Sequence, residues 1–127
     1  MSKELVVADV LTPLKLILNQ GADDGIALGD KFMVYGLGKG VKDPSTGEEL
    51  ERLEIVRGVG KIVHLQKKIS TLESTETHVV PRKYIKSGGP SLFSALYATE
   101  EIRMETETKP FAEPQIGDLL RKIPLIH

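Results

Sequence analysis

Cysteine is absent from this chain, which excludes a disulfide framework, a thiolate metal site and a cysteine nucleophile. Aromatic residues make up only 5% of it, too few for an extended base-stacking platform. No charge of one sign dominates. Seventeen basic residues face eighteen acidic ones, a net charge of -1 that supplies no global pull toward nucleic acid or an anionic membrane. Nor is there a run approaching the roughly 20 apolar residues of a membrane-spanning helix. The opening Met1–Pro13 stretch is too interrupted for a signal-peptide core, and no small-residue cleavage site follows it. A cytoplasmic location is expected, or a periplasmic one if a signal sequence has been removed.

What is present is a pattern of short alternating runs separated by turn residues. A length of 127 residues fits one domain with a core of its own. Leu14, Leu16 and Leu18 alternate on one face of a strand, which Gly21, Asp23, Asp24 and Gly25 then end. Lys31–Tyr35 is a second strand, with Phe32 and Val34 on one side and Met33 and Tyr35 on the other. Tyr35–Leu53 reads as a hairpin with a long arm. At its tip Asp43 accepts from nearby amides, Pro44 presets φ, and Gly47 takes a left-handed position. Arg52–Val56, Gly58–Leu65 and Ile69–Val80 follow as strands, with a bend at Lys67–Lys68. Ile116–Ile123 closes the chain as a turn and a strand, and its Ile116–Gly117–Asp118 repeats the turn chemistry of Leu28–Gly29–Asp30.

These runs predict an all-β, barrel-like domain of at least five strands. Leu16, Leu18, Ile26, Leu28, Phe32, Val34, Ile62, Ile69, Leu72 and Leu119 are its expected core. Residues 81–114 read as an insertion in this single 1–127 domain. Within it, Ser91–Ala98 has helical spacing and an acidic tail runs from Glu100 to Glu107.

The stretch Asn19–Tyr35, the Asp43–Pro44–Ser45–Thr46–Gly47 loop, Gly58–Val63 and the downstream Ile69–Ser70 occur in an order that resembles a known family. It is similar to the C-terminal domain of the flagellar assembly protein T family and to small domains sharing that signature. The resemblance covers less than half of the chain, plus the closing Ile116–Gly117–Asp118. It implies an SH3-like β-barrel acting as a protein-interaction module of the flagellar basal body.

Catalytic chemistry finds little footing. Gly36–Leu37–Gly38–Lys39–Gly40 lacks the spacing and the following helix of a phosphate loop, and reads as part of the hairpin arm. Asp23–Asp24–Gly25 lacks the alternating ligands of a calcium loop. His64, His78 and His127 share no metal-ligand spacing. Glu48, Glu49, Glu51 and Glu54 read as a solvated edge that discourages aggregation rather than an acid–base pair. No cofactor or metal is implied.

The expected function is non-enzymatic: a structural or interaction module that binds another protein or itself. Weak single-stranded nucleic-acid binding through Lys67–Lys68 and Arg82–Lys83–Tyr84–Lys86 is the alternative. The expected partner-binding residues are Arg82, Lys83, Tyr84, Leu92, Phe93, Leu96 and Tyr97, apolar anchors flanked by cations within the insertion.

Overall fold

The computed structural model describes residues 3–86 and 99–124. Among them the chain is mostly β. The strands are β1 (Val7–Thr12), β2 (Lys15–Leu18), β3 (Lys31–Lys42), β4 (Glu49–Leu65), β5 (Ser70–Ser74), β6 (Thr77–Lys86), β7 (Thr99–Thr108) and β8 (Leu119–Ile123), with one 3-10 turn at Ala22–Asp24. They fall into two compact units. One holds the residues up to Glu76 and those from Lys109 onward; the other is Thr77–Thr108.

The first unit is a six-stranded antiparallel sheet in the order β1-β2-β5-β4-β3-β8. Its core face is set by period-two alternation. Leu16 and Leu18 of β2, Phe32 and Val34 of β3, Ile62 of β4 and Leu72 of β5 are buried together with Val7, Ile26 and Phe111. The outer strands β1 and β8 meet at a single bridge, Val6 to Leu119. The bonds Val7 N to Asp118 O and Gly117 N to Val7 O, each 2.8 Å, lie beside it. One bridge is not a ladder. The sheet brings its edges together without the closed barrel that the strand pattern predicts.

Seven of the ten expected core residues are buried, and the other three differ for local reasons. Leu28 is 64% exposed because it occupies the outer corner of a tight turn. Ile69 is 37% exposed beside the Lys67–Lys68 bend, and Leu119 at the start of β8 is half-buried. Phe111 supplies what they do not. Its ring lies over two glycines of β4: a Cβ on Gly58 or on Gly60 would come within 3.0 Å of it. Those glycines leave room for a close approach in the middle of a strand. Arg52–Val56 and Gly58–Leu65 are therefore one strand with an irregularity at Arg57, not two.

The Gly-Asp turn is used twice. Gly29 and Gly117 have φ of 85° and 95°, the left-handed region that glycine enters without a steric cost. In each turn the aspartate carboxylate accepts from the amide three residues earlier, Ala27 N to Asp30 Oδ2 at 3.0 Å and Gln115 N to Asp118 Oδ2 at 2.8 Å. Each turn then docks on a buried residue of a neighbouring segment. Gly29 N donates to Ile62 O and Ile62 N to Asp30 O; Gly117 N donates to Val7 O and Val7 N to Asp118 O. The turns start β3 and β8, which pair with each other antiparallel from Lys31–Ile123 to Tyr35–Leu119.

The second unit is a two-stranded antiparallel ribbon, β6 with β7, in unbroken register from Thr77–Thr108 to Lys86–Thr99. The Glu100–Glu107 segment is thus a strand, not an acidic tail, and Ile69–Val80 divides at Thr75–Glu76 into two strands. The expected helix at Ser91–Ala98 lies outside the described residues.

Candidate interaction surfaces

The longest hairpin in the sheet outruns its core. β3 pairs with β4 from Lys31–Lys61 out to Lys42–Glu49, but β8 covers β3 only as far as Tyr35 and β5 covers β4 only from Gly60 onward. Gly36–Lys42 and Glu49–Val56 are left as a two-stranded arm. Its tip is held locally. Asp43 accepts from the Ser45 amide at 2.9 Å and from the Ser45 hydroxyl at 2.7 Å, and Gly47 N donates to Asp43 O at 2.8 Å. Those Ser45 bonds, side chain first and backbone second, hold the Asp43 carboxyl below the usual carboxylate range.

Register sorts the arm into two faces. The pairs Tyr35–Val56, Leu37–Glu54 and Gly40–Arg52 lie on one, and Gly36–Ile55 and Val41–Glu51 on the other. The first face is laced with polar contacts. Arg52 donates to the carbonyls of Gly38 at 3.0 Å and Leu37 at 3.2 Å. Arg121 pairs with Glu54 at 2.6 Å and lies 5.0 Å from the centre of the Tyr35 ring. Glu54, by hydrogen bond and by charge, raises the Arg121 pKa above its usual value.

The second face continues the core side of the sheet, and by strand alternation it carries Leu53 with Ile55 and Val41. Near its base Arg57 Nε stands 3.3 Å from the buried Asp118 carboxylate. That separation is ion-pair range without a hydrogen bond in line, so Arg57 Nε has a charge partner but no hydrogen-bond acceptor. Gly36 gives the pair its space, since a Cβ there would meet Arg57 Nη2 at 2.7 Å. Beyond it the face is open: Val41, Leu53 and Ile55 are 39%, 50% and 41% exposed. Leu50 and Val56 are exposed as well, and a hollow of about 660 Å³ is lined by Val41 and Leu50–Glu54.

The ribbon has a second uncovered apolar row. Val79–Thr106, Pro81–Met104 and Lys83–Ile102 are cross-strand pairs on one face, with Val79, Ile102 and Met104 exposed. The opposite face carries charge pairs, one directly across the ribbon and the others diagonal. Arg82 bridges Glu105 and Glu107, and His78 stands 3.9 Å from Glu107.

Of the expected partner-binding residues, Arg82 and Lys83 are exposed on β6, on opposite faces of the ribbon. Tyr84 belongs to the same strand. Leu92, Phe93, Leu96 and Tyr97 lie outside the described residues. Sequence reasoning missed the arm's apolar side chains, although Leu53–Glu54–Ile55 already alternates as a half-buried strand does. Among the described residues, no three His, Asp or Glu side chains gather to hold a metal ion, and no helix is long and apolar enough to cross a membrane. No protein-family model and no curated protein matches this chain.

Proposed function

We propose that this protein is a non-enzymatic interaction module, and that it binds another protein or a second copy of itself through the uncovered face of the β3–β4 arm. The observation that carries this reading is an amphipathic strand whose apolar side has no core to enter. Half-buried strands normally place such side chains against a second layer, and a contiguous uncovered row marks an interface. The uncovered row Val79, Met104 and Ile102 on the ribbon supports the same class of function. The nucleic-acid alternative would draw on Lys67–Lys68 and Arg82–Lys83–Tyr84–Lys86; the Arg82 guanidinium is already bridged to Glu105 and Glu107, which weighs against the second of these clusters. The resemblance to the flagellar assembly protein T family supports an SH3-like reading of the sheet and a scaffold role of the same kind.

A photo-crosslinking residue in place of Leu53 tests the reading in cells. The expected result is a discrete crosslinked product at Leu53 and none at Lys61, an exposed position on the same strand. Products at Lys61 with none at Leu53 would overturn it.

A further inference from the structure

The arm also has an open edge. β4 is paired with β3 along one side, but among the described residues no strand pairs with its other side between Glu49 and Val56. Unpaired amides and carbonyls along such an edge accept another strand. The exposed edge sequence is Glu49–Leu50–Glu51–Arg52–Leu53–Glu54–Ile55–Val56.

We propose that two copies of this chain pair antiparallel, edge to edge, through β4, about a twofold axis at Leu53. The proposal rests on the arm being the interaction surface; the second copy takes the arm's edge, and the apolar face is extended across both copies.

The register follows from elimination. A twofold axis that continues a sheet runs perpendicular to it, so every side chain stays on its own face and the axis must pass through a residue pair, i opposite i. Centring on Glu51 sets Glu51 against itself, and centring on Glu54 does the same to Glu54. Centring on Arg52 sets two guanidinium groups together and Glu54 against Leu50. Centring on Ile55 leaves Glu54 opposite Val56 and Leu53 opposite Arg57, with no unlike-charge pair among them. Like charges directly opposite are destabilising and unlike charges stabilising. Centring on Leu53 gives Leu53 opposite Leu53, Arg52 opposite Glu54 twice, Leu50 opposite Val56 and Glu51 opposite Ile55, and among these registers it alone combines unlike-charge pairs with no like-charge pair. The like charges that would meet at Glu51, Arg52 and Glu54 exclude the registers centred on those residues. Each Glu54 comes to lie between its own Arg121, at 2.6 Å, and the other copy's cation. The open faces carrying Val41, Leu53 and Ile55 join into one surface.

Sedimentation of the full chain is expected to show a reversible dimer. Arg52→Glu sets Glu against Glu54 at both sites, and Glu54→Arg sets Arg against Arg52; each variant alone should dimerise at least roughly tenfold more weakly. Mixed in equal amounts they restore both opposite-charge pairs, and a heterodimer should form. Circular dichroism reports whether each variant is folded.

Because the chain has no cysteine of its own, disulfide trapping is a second, independent measurement. Alternate pairs in an antiparallel ladder are the close, non-hydrogen-bonded kind. Either Leu53→Cys with itself or Arg52→Cys mixed with Glu54→Cys therefore has favourable geometry, and one of them should crosslink under mild oxidation. The second combination lies on the charged face, so stacking of the two apolar faces would not trap it. A wild-type chain that stays monomeric, a folded pair of charge variants that fails to associate on mixing, or failure of both disulfide combinations overturns the proposal. If the Leu53 photo-probe then captures a different protein, the arm reading stands and the self-pairing falls. If it captures nothing, both fall.

Discussion

Phe111 closes the core from a segment with no strand of its own. Its amide donates to Pro13 O at 2.9 Å, Ala112 N donates to Arg57 O at 2.8 Å, and its ring fills the space over Gly58 and Gly60. Phe111→Ala should cost about 3–5 kcal/mol in urea denaturation. Leu28→Ala, at the outer corner of its turn, should stay within about 0.5 kcal/mol of the parent. A small loss at Phe111 would mean that its burial is not what holds this end of the sheet. Gly29 and Gly47 have φ of 85° and 75°, so valine at either should cost about 1 kcal/mol or more. Unchanged midpoints for both would contradict the turn geometry. Asp43 gives a pH prediction. Its folded pKa is lowered by Ser45, so its contribution to the hairpin tip is present above the unfolded-state pKa and is lost as pH falls through the folded value. The Ser45 amide resonance should titrate with a midpoint below the usual aspartate range, and a midpoint at or above that range would contradict it.

At the scale of elements, the β6–β7 ribbon is bounded by two residues that already touch. Lys109 N donates to Glu76 O at 2.7 Å, and Ser74 Oγ donates to Lys109 O at 2.5 Å. Excising Thr77–Thr108 and joining Glu76 to Lys109 through a short Gly-Ser linker should leave a cooperative unfolding transition, because among the described residues every member of the buried core lies outside the ribbon. Loss of that transition would show that the ribbon is needed for folding. Where local pattern and tertiary demand agree, the elements were legible in the sequence: β2, the start of β3, the Asp43–Gly47 tip, both Gly-Asp turns and β8. β4 was not legible as one strand because Gly58 and Gly60 resemble breakers until Phe111 is seen to need their space. β7 was masked by its glutamates, although Ile102, Met104 and Thr106 alternate with Arg103, Glu105 and Glu107. The arm surface was half legible: the hairpin can be read from its turn, but the uncovering of Leu53 and Ile55 depends on where β5 and β8 stop.

For the molecule as a whole, the division of apolar residues between folding and recognition is the central claim. Val7, Leu16, Leu18, Val34 and Leu72 are fully buried and build the sheet's core. Val41, Leu53 and Ile55 belong to the same sheet, yet are exposed beyond its reach. The direct test is the unfolding free energy of a Val41→Thr, Leu53→Thr, Ile55→Thr variant, measured by urea denaturation at a dilution where the chain is monomeric. Threonine is β-branched and favours strands, as Val41 and Ile55 do, while weakening the apolar face. The account predicts a value within about 0.5 kcal/mol of the parent. A loss of about 3 kcal/mol or more, the scale of core truncation, would place these side chains in the fold's own core and contradict their assignment to recognition.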